Sequence, residues 1–139
     1  MNVFFDSSAL AKRYVEEAGS DRVQDILSSA TSLTISVLCI SEITSALCRR
    51  RRERKLSQQQ YMSAKQALFA DIEDMSIVNL TDQVIIRAVE ILEKWPLRSS
   101  DSIHVASAAE WSAQLFVSAD ERQCAAARAY ALQVEELPS

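Results

Sequence analysis

The sequence predicts an α/β sandwich built around a mostly parallel sheet of about five strands. Strand-like segments recur along the chain, a helical pattern fills each gap between them, and the connections are short. This alternation is the one expected of strand–helix–strand units. A length of 139 residues is also close to the most common size of one domain. We therefore expect a single domain over residues 1–139.

The predicted strands are runs of β-branched and large apolar side chains that end in polar residues. They are VFF (3–5), SLTIS (32–36), MSIVNL (75–80), QLFVS (114–118) and LQVEEL (132–137). In open parallel sheets, ligands bind outside the carboxyl ends of the strands, near the point where the strand order reverses. We therefore expect the functional residues directly after these segments.

The predicted helices follow apolar side chains that recur every three or four residues. Ser57 opens the sequence SQQQ, which resembles the capping box of a helix start. Pro96 ends the helix that Thr81 begins. In chain order the predicted helices cover residues 8–17, a segment from Ser20, 38–54, a segment from Ser57, 81–95, 99–111 and 121–130.

Glycine is nearly absent, and this excludes two kinds of nucleotide site. Gly19 is the only glycine of the chain, whereas average usage is about 7%. A Walker loop and a dinucleotide-binding fingerprint both need glycines so that backbone amides can approach phosphates. A function that involves phosphate must therefore depend on side chains or on a metal ion.

The chain shows no sign of export, of a membrane segment or of a disulfide framework. No apolar run approaches the roughly 20 residues that span a bilayer, and no leader pattern of a basic stretch and an apolar run begins the chain. Cys39, Cys48 and Cys124 are odd in number and lack C-x-x-C spacing, which argues against disulfides and structural zinc. We expect a cytoplasmic protein whose cysteines are small core residues.

Four acidic residues are predicted to meet at one edge of the sheet. Asp6 directly follows the first strand and Asp120 lies two residues after the fourth, while Glu42 and Asp101 lie near the starts of helices. Each residue alone is explained as a cap or a first-turn residue. Four carboxylates close together, however, repel one another and raise their own pKa values unless a cation lies among them. Mg²⁺ or Mn²⁺ is the cation that such oxygen ligands favour.

A metal ion held by carboxylates in an open cleft can activate water and stabilise a leaving oxygen, as phosphodiester hydrolysis requires. This favours a nuclease in which Glu42 positions or deprotonates the attacking water, although Glu42 is also a candidate ligand. Two alternatives stay open. A phosphoaspartyl phosphatase or receiver-like domain has an acid after its first strand, but DSS lacks the phosphatase D-x-D pattern and SADERQ offers no lysine. A catalytically weak RNA- or protein-binding module would carry the same acids without the activity.

Four segments of the chain resemble the acidic motifs of PIN-domain ribonucleases, specifically the VapC-type toxins of type II toxin–antitoxin systems. They are FFDSSALAKRYVEE, ISEITSAL, LRSSDSIHVASA and LFVSADERQCAAA, in the family's order over essentially the whole chain. The resemblance implies a three-layer α/β/α fold, a homodimer and Mg²⁺- or Mn²⁺-dependent endoribonuclease activity. It also implies a cognate antitoxin, which in this family often places a basic side chain at the carboxylates.

The resemblance assigns the catalytic and metal-binding site to four residues. These are Asp6, Glu42, Asp101 and Asp120, with Asp6 and Asp101 at the positions of the usual primary ligands. Ser118 matches a small hydroxyl residue that hydrogen-bonds a carboxylate or a water near such sites. Two positions depart from the family pattern, because Ala131 stands where glycine is frequent before the last strand and Ser102 stands where alanine is usual. We expect the turn at Ala131 to be built differently.

The basic stretch RRRRERK, residues 49–55, is the main candidate for phosphate contacts. The net charge of −4 argues against RNA binding through bulk positive charge, and most of these cations complement the dipole of a helix end. Arg49 follows Glu42 by two helical turns, about 10 Å along the axis, and is the preferred RNA-binding candidate. Arg13 and Arg98, near the first and third acidic motifs, are further candidates.

His104 is the sole histidine and lies three residues after Asp101. This spacing puts both side chains on one side of the predicted helix. An imidazole among hard oxygen ligands is atypical of magnesium. We therefore expect His104 to be structural or to support a ligand indirectly.

Overall fold

The computed structural model describes residues 1–139 and contains one sheet of five strands. The strands are β1 Asn2–Phe5, β2 Ser32–Ser36, β3 Ser76–Val78, β4 Leu115–Ser118 and β5 Gln133–Glu136. Across the sheet their order is β3-β2-β1-β4-β5, and every neighbouring pair is parallel. The predicted α/β fold class is confirmed, with a sheet that is wholly parallel.

Seven α-helices connect the strands. They are α1 Ser7–Leu10, α2 Ser20–Ser29, α3 Leu38–Arg52, α4 Gln58–Ile72, α5 Asp82–Lys94, α6 Ser99–Glu110 and α7 Glu121–Arg128. Ser57 caps α4 in the predicted capping box, and Trp95 ends α5 directly before Pro96. No helix combines the length and the apolar character that crossing a membrane would need.

Helices cover both faces of the sheet, which confirms the three-layer α/β/α arrangement. Successive side chains of a strand point to opposite faces, so Val3 and Phe5 of β1 enter one buried cluster and Phe4 enters the other. The first cluster packs α1 to α4 on the sheet, and the second packs α5 to α7 on the opposite face. Cys39 and Cys124 are buried core residues, and none of the cysteines forms a disulfide.

The strand order reverses beside β1. From β1 the chain moves outward through β2 and β3 and then returns to the other side of β1 with β4 and β5. The carboxyl ends of β1 and β4 are therefore adjacent, with Phe5 opposite Val117 in the ladder. This is the place where open parallel sheets bind ligands, and the residues that follow both strands lie there.

The first predicted helix is too long. Residues 8–17 were expected to be helical, whereas α1 ends at Leu10 and only a 3₁₀ turn over Ala11–Arg13 follows. The reason is the hydroxyl of Ser20, which donates to the backbone carbonyls of Lys12 and Val15 at 2.8 and 3.3 Å. Because a tertiary contact satisfies these carbonyls, the local apolar pattern does not decide where the helix ends.

The turn between α7 and β5 keeps a left-handed backbone although it lacks glycine. Ala131 has φ 63°, in the region that glycine favours, and a turn built differently from the family's stays a prediction. A residue with a Cβ in this region costs about 1–2 kcal/mol, while glycine adopts it without that cost.

We expect Ala131→Gly to raise the free energy of unfolding by about 1 kcal/mol, because relief of the left-handed strain exceeds the added freedom of the unfolded chain. Denaturant titration measures the change. Ala129→Gly is the matched control, since Ala129 has φ −75° and should lose stability. Equal losses in both variants would contradict this reading of the turn.

Candidate functional site

The four predicted acids lie at the carboxyl edge of the sheet, around the point where the strand order reverses. Asp6 directly follows β1, and Asp120 lies two residues after β4. Asp101 is the third residue of α6, and Glu42 is the fifth residue of α3. A hydroxyl and an amide side chain connect Asp6, Asp120 and Asp101, whereas Glu42 contacts His104 and Ser7.

Asp6 is a buried carboxylate held by neutral donors. Its side chain accepts hydrogen bonds from the hydroxyl of Ser8 at 2.8 and 2.9 Å, from the backbone amide of Ala9 at 2.9 Å and from the hydroxyl of Ser118 at 2.7 Å. The contact with Ala9 also makes Asp6 the N-cap of α1. Burial raises the pKa of Asp6 above its usual value, and the charge of His104 and the hydrogen bonds offset this only in part.

Ser118 connects Asp6 to Asp120. Its hydroxyl donates to Asp6 and accepts from the backbone amide of Asp120 at 2.9 Å. Asp120 in turn caps α7 by accepting from the backbone amides of Arg122 and Gln123. The chain that leaves β4 is thereby fixed against the end of β1.

Gln123 joins Asp120 to Asp101. Its side-chain nitrogen Nε2 donates to Asp101 Oδ1 at 3.1 Å and to Asp120 Oδ2 at 3.3 Å, so both carboxylates lie within reach of one atom. Gln123 is only 4% exposed. Gln123 was not predicted from the sequence. The signal was the spacing of Asp120 and Gln123, which is that of a capping box and predicts a polar side chain directed back to the helix start.

Arg98 contacts Asp101 from the surface. The backbone amide and Nε of Arg98 donate to Asp101 Oδ2, both at 3.2 Å, and Nη2 lies 3.5 Å from Oδ1. The hydrogen bond and the charge of Asp101 raise the pKa of Arg98, with smaller contributions from Asp120 and Glu42. The guanidinium therefore lies in the field of three of the four acids.

Glu42 pairs with His104 and Ser7. His104 Nε2 lies 2.5 Å and Ser7 Oγ lies 2.7 Å from Glu42 Oε1. Burial alone raises the pKa of Glu42, but the hydrogen bonds from His104 and Ser7 outweigh it, so the pKa lies below its usual value. Since an ionised carboxylate only accepts, Nε2 of His104 is the donor, and His104 contacts Glu42 rather than a shared ligand position beside Asp101.

The acids fit a hard divalent cation in donor chemistry. All four offer carboxylate oxygens, and Asp6 takes part in no ion pair although it is 1% exposed. An ionised carboxylate buried in this way is stabilised by a cation. No three Asp, Glu, His or Cys side chains stand close enough to share an ion, and two of the acids are paired, Asp101 with Arg98 and Glu42 with His104.

Arg13 and Arg49, the other predicted RNA-binding residues, form no ion pair with the four acids. Arg13 is bound to Asp71 at 2.7 Å and to Gln24, on the outer side of α2 and α4. The structure does not bring Arg13 to the carboxylates. Arg49 is exposed at the last turn of α3 and lines a cavity of about 400 Å³ together with Arg50, Glu53 and Lys55.

A second cavity extends from this end of α3 to residues beside the acids. It measures about 300 Å³ and reaches Ser8, which hydrogen-bonds Asp6, and Ala119, which directly precedes Asp120 in the chain. The two cavities share Ala46 and Arg50. The two cavities therefore adjoin at these residues, and together they form a depression between Arg49 and the residues beside the carboxylates.

Comparison with known proteins relates the sequence to one family and the fold to several toxins. The family model of the PIN domain matches residues 3–129. No curated protein sequence matches the chain. The fold is similar to VapC20 of Mycobacterium tuberculosis, described as a sarcin–ricin loop cleaving toxin, at 17% identity and TM-score 0.69, covering 89% of this chain and 94% of that one.

Two complexes contain chains of similar fold. In a toxin–antitoxin complex from Klebsiella pneumoniae the identity is 15% and the TM-score 0.68, with 88% and 90% of the two chains covered. In DNA-bound VapBC from Salmonella typhimurium the identity is 13% and the TM-score 0.69, with 98% of each chain covered. At these identities the likeness establishes the fold.

We expect Gln123→Leu to lower the free energy of unfolding by about 2 kcal/mol, because two carboxylates lose a hydrogen bond from a buried amide. Thermal or urea unfolding in EDTA measures the loss. Gln66→Leu on α4, where the side chain is exposed, is the matched control and should change stability by less than about 0.5 kcal/mol. A similar small change in both variants would show that Gln123 does not hold the two acids.

Proposed function

The chain belongs to the PIN-domain family, and from this premise we propose that it is a metal-dependent endoribonuclease and the toxin of a toxin–antitoxin pair. The observation that carries the proposal is the hydrogen-bonded link of Asp6, Asp120 and Asp101 through Ser118 and Gln123 at the switch point of the sheet. The similar fold of VapC20, a sarcin–ricin loop cleaving toxin, supports the RNA substrate.

We propose that Asp6, Asp101 and Asp120 hold the ion, Mg²⁺ or Mn²⁺, with Glu42 as a further candidate ligand. Such an ion would polarise a phosphoryl oxygen and lower the pKa of a bound water. Ser8 and Ser118 fix the carboxylate of Asp6 through their hydroxyls. Because these donors are neutral, they orient Asp6 and leave its negative charge available to a cation.

Glu42 is suited to orient the attacking water. Its lowered pKa keeps the carboxylate ionised, and an ionised carboxylate accepts a hydrogen bond from water. A lowered pKa also makes a weaker base, so orientation of the water is favoured over removal of its proton. Ser7 and His104 both contact Oε1, so neither of them occupies Oε2.

The depression between the acids and the end of α3 is the proposed path of the RNA strand. Arg49 forms no ion pair there, whereas Arg50 contacts Glu17 and Lys55 contacts Glu53. An unpaired guanidinium is free to contact a phosphate. Arg49 is therefore the strongest candidate for a backbone contact, and Arg98 at the carboxylates is the second.

The proposed partner is a cognate antitoxin. Chains of similar fold occur in a toxin–antitoxin complex and in DNA-bound VapBC, which supports an antitoxin for this chain as well. Copurification of a small protein encoded beside this one, with loss of nuclease activity in its presence, is the expected result. The homodimer, the single domain over residues 1–139 and the cytoplasmic location stay predictions.

The phosphoaspartyl alternative has less support. Asp6 contacts hydroxyls and a backbone amide and has no lysine in ion-pair contact. The nearby Lys12 is 3% exposed and points to Glu17 and the carbonyl of Ala18. A receiver-like or phosphatase mechanism would need such a cation beside the phosphorylated acid.

We expect the purified protein to cleave a mixed RNA pool with Mg²⁺ or Mn²⁺ and not with EDTA. Asp6→Asn and Asp101→Asn should each lose at least about 100-fold in rate, since each removes a charged ligand. Asp82→Asn, at an exposed acid in the first turn of α5, is the matched control and should cut like the wild type.

Cleavage by both site variants at the wild-type rate would contradict the proposal and assign the activity to a contaminant or another site. Metal binding without any cleavage would favour the binding-module alternative. Labelling of Asp6 by a phosphate analogue would favour the phosphoaspartyl alternative.

We expect Arg49→Ala to weaken RNA binding and to reduce the slope of log K against log salt by about 0.7, the value for one phosphate of a single strand. Mn²⁺ affinity should not change. Arg128→Ala removes an equal charge from the end of α7 and is the control. An unchanged salt slope in Arg49→Ala would remove Arg49 from the RNA path.

A further inference from the structure

Arg98 is the one lysine or arginine that forms an ion pair with any of the four acids. Its Nε lies 3.2 Å from Asp101 Oδ2, while the only other ion pair of the set is that of Glu42 with His104. The two sides of the Arg98 pair differ in solvent contact. The side chain of Arg98 is 82% exposed and that of Asp101 is 9% exposed.

The pair uses both oxygens of Asp101. Oδ2 accepts from the backbone amide and Nε of Arg98, and Oδ1 accepts from Gln123 and is approached by Nη2 of Arg98. A metal ion at Asp101 would need one of these oxygens and would repel the guanidinium. Arg98 and a cation therefore compete for the same carboxylate.

The pair is also weak enough to exchange. Ion pairs with a largely exposed partner contribute little, because water and salt screen the charges. The backbone contact of Arg98 with Asp101 keeps residue 98 in place, so the side chain can leave without disturbing α6. A released guanidinium stays at the rim where the proposed RNA strand passes.

We propose that Arg98 is an exchangeable counter-ion, which holds Asp101 in the metal-free protein and binds an RNA phosphate once a metal ion has taken the carboxylate. This inference rests on the proposed function. Arginine suits both states, because its planar guanidinium offers paired N–H groups to a carboxylate and to a phosphate alike.

The first measurement is Mn²⁺ affinity, by titration calorimetry or by the signal of free Mn²⁺ in electron paramagnetic resonance. We expect Arg98→Gln to bind Mn²⁺ roughly two- to fivefold more tightly than the wild type, since the competitor is removed. Arg122→Gln is the control, because Arg122 is an arginine in the first turn of α7 whose side chain forms no ion pair. Unchanged or weaker Mn²⁺ binding by Arg98→Gln would contradict direct competition between Arg98 and the metal ion for Asp101. An equal gain in Mn²⁺ affinity in Arg122→Gln would contradict it as well.

The second measurement is the Michaelis constant for RNA at saturating Mn²⁺. We expect the KM of Arg98→Gln to rise at least about threefold while its metal affinity increases, and Arg98→Lys to recover part of the KM. A merely structural role would weaken both metal and RNA binding. An unchanged KM would overturn the phosphate contact.

Mn²⁺ binding by the wild type and by the two variants distinguishes failure of the proposed function from failure of the Arg98 exchange. A wild type that binds no Mn²⁺, or an Asp6→Asn variant that binds it as tightly, would remove the proposed function together with this inference. A wild type that loses Mn²⁺ binding on Asp6→Asn, combined with wild-type affinity in Arg98→Gln, would remove this inference alone.

Discussion

The carboxylate of Asp6 lies buried at the end of the central strand, and a charge in that position is costly without compensation. Three neutral donors, from Ser8, Ala9 and Ser118, compensate it in part. Burial still raises its pKa, so these donors do not fully offset the cost of holding the charge there. The rest of the rim is arranged around this requirement, because Ser118 and Gln123 bring the backbone and side chains of the other acids to the same place.

The contacts that build the fold are the ones that orient the site. Asp6 caps α1, Asp120 caps α7 and Asp101 contacts the start of α6. The hydrogen bonds that make these residues helix caps are therefore the same ones that position them in the site. A helix N-terminus also presents a partial positive charge, which lets several carboxylates gather near one edge without unfolding the structure.

The sequence predicted the parts of the structure that depend on local pattern and on the topology of parallel sheets. Alternating strands and helices located all five strands, and acids placed after β1 and β4 had to meet because neighbouring parallel strands end at one edge. Contacts between side chains far apart in the chain could not be predicted in the same way. Gln123 between two acids, and Ser20 at the end of the first helical segment, depend on packing that no periodicity encodes.

We propose that a divalent cation shared with neighbouring acids compensates the buried charge of Asp6. Anomalous scattering from crystals grown with Mn²⁺ is the decisive measurement, because the signal locates the ion independently of activity. We expect an anomalous peak in direct contact with the carboxylate of Asp6, and no peak there in Asp6→Asn crystals. A wild-type crystal saturated with Mn²⁺ that shows no peak at Asp6 would contradict it.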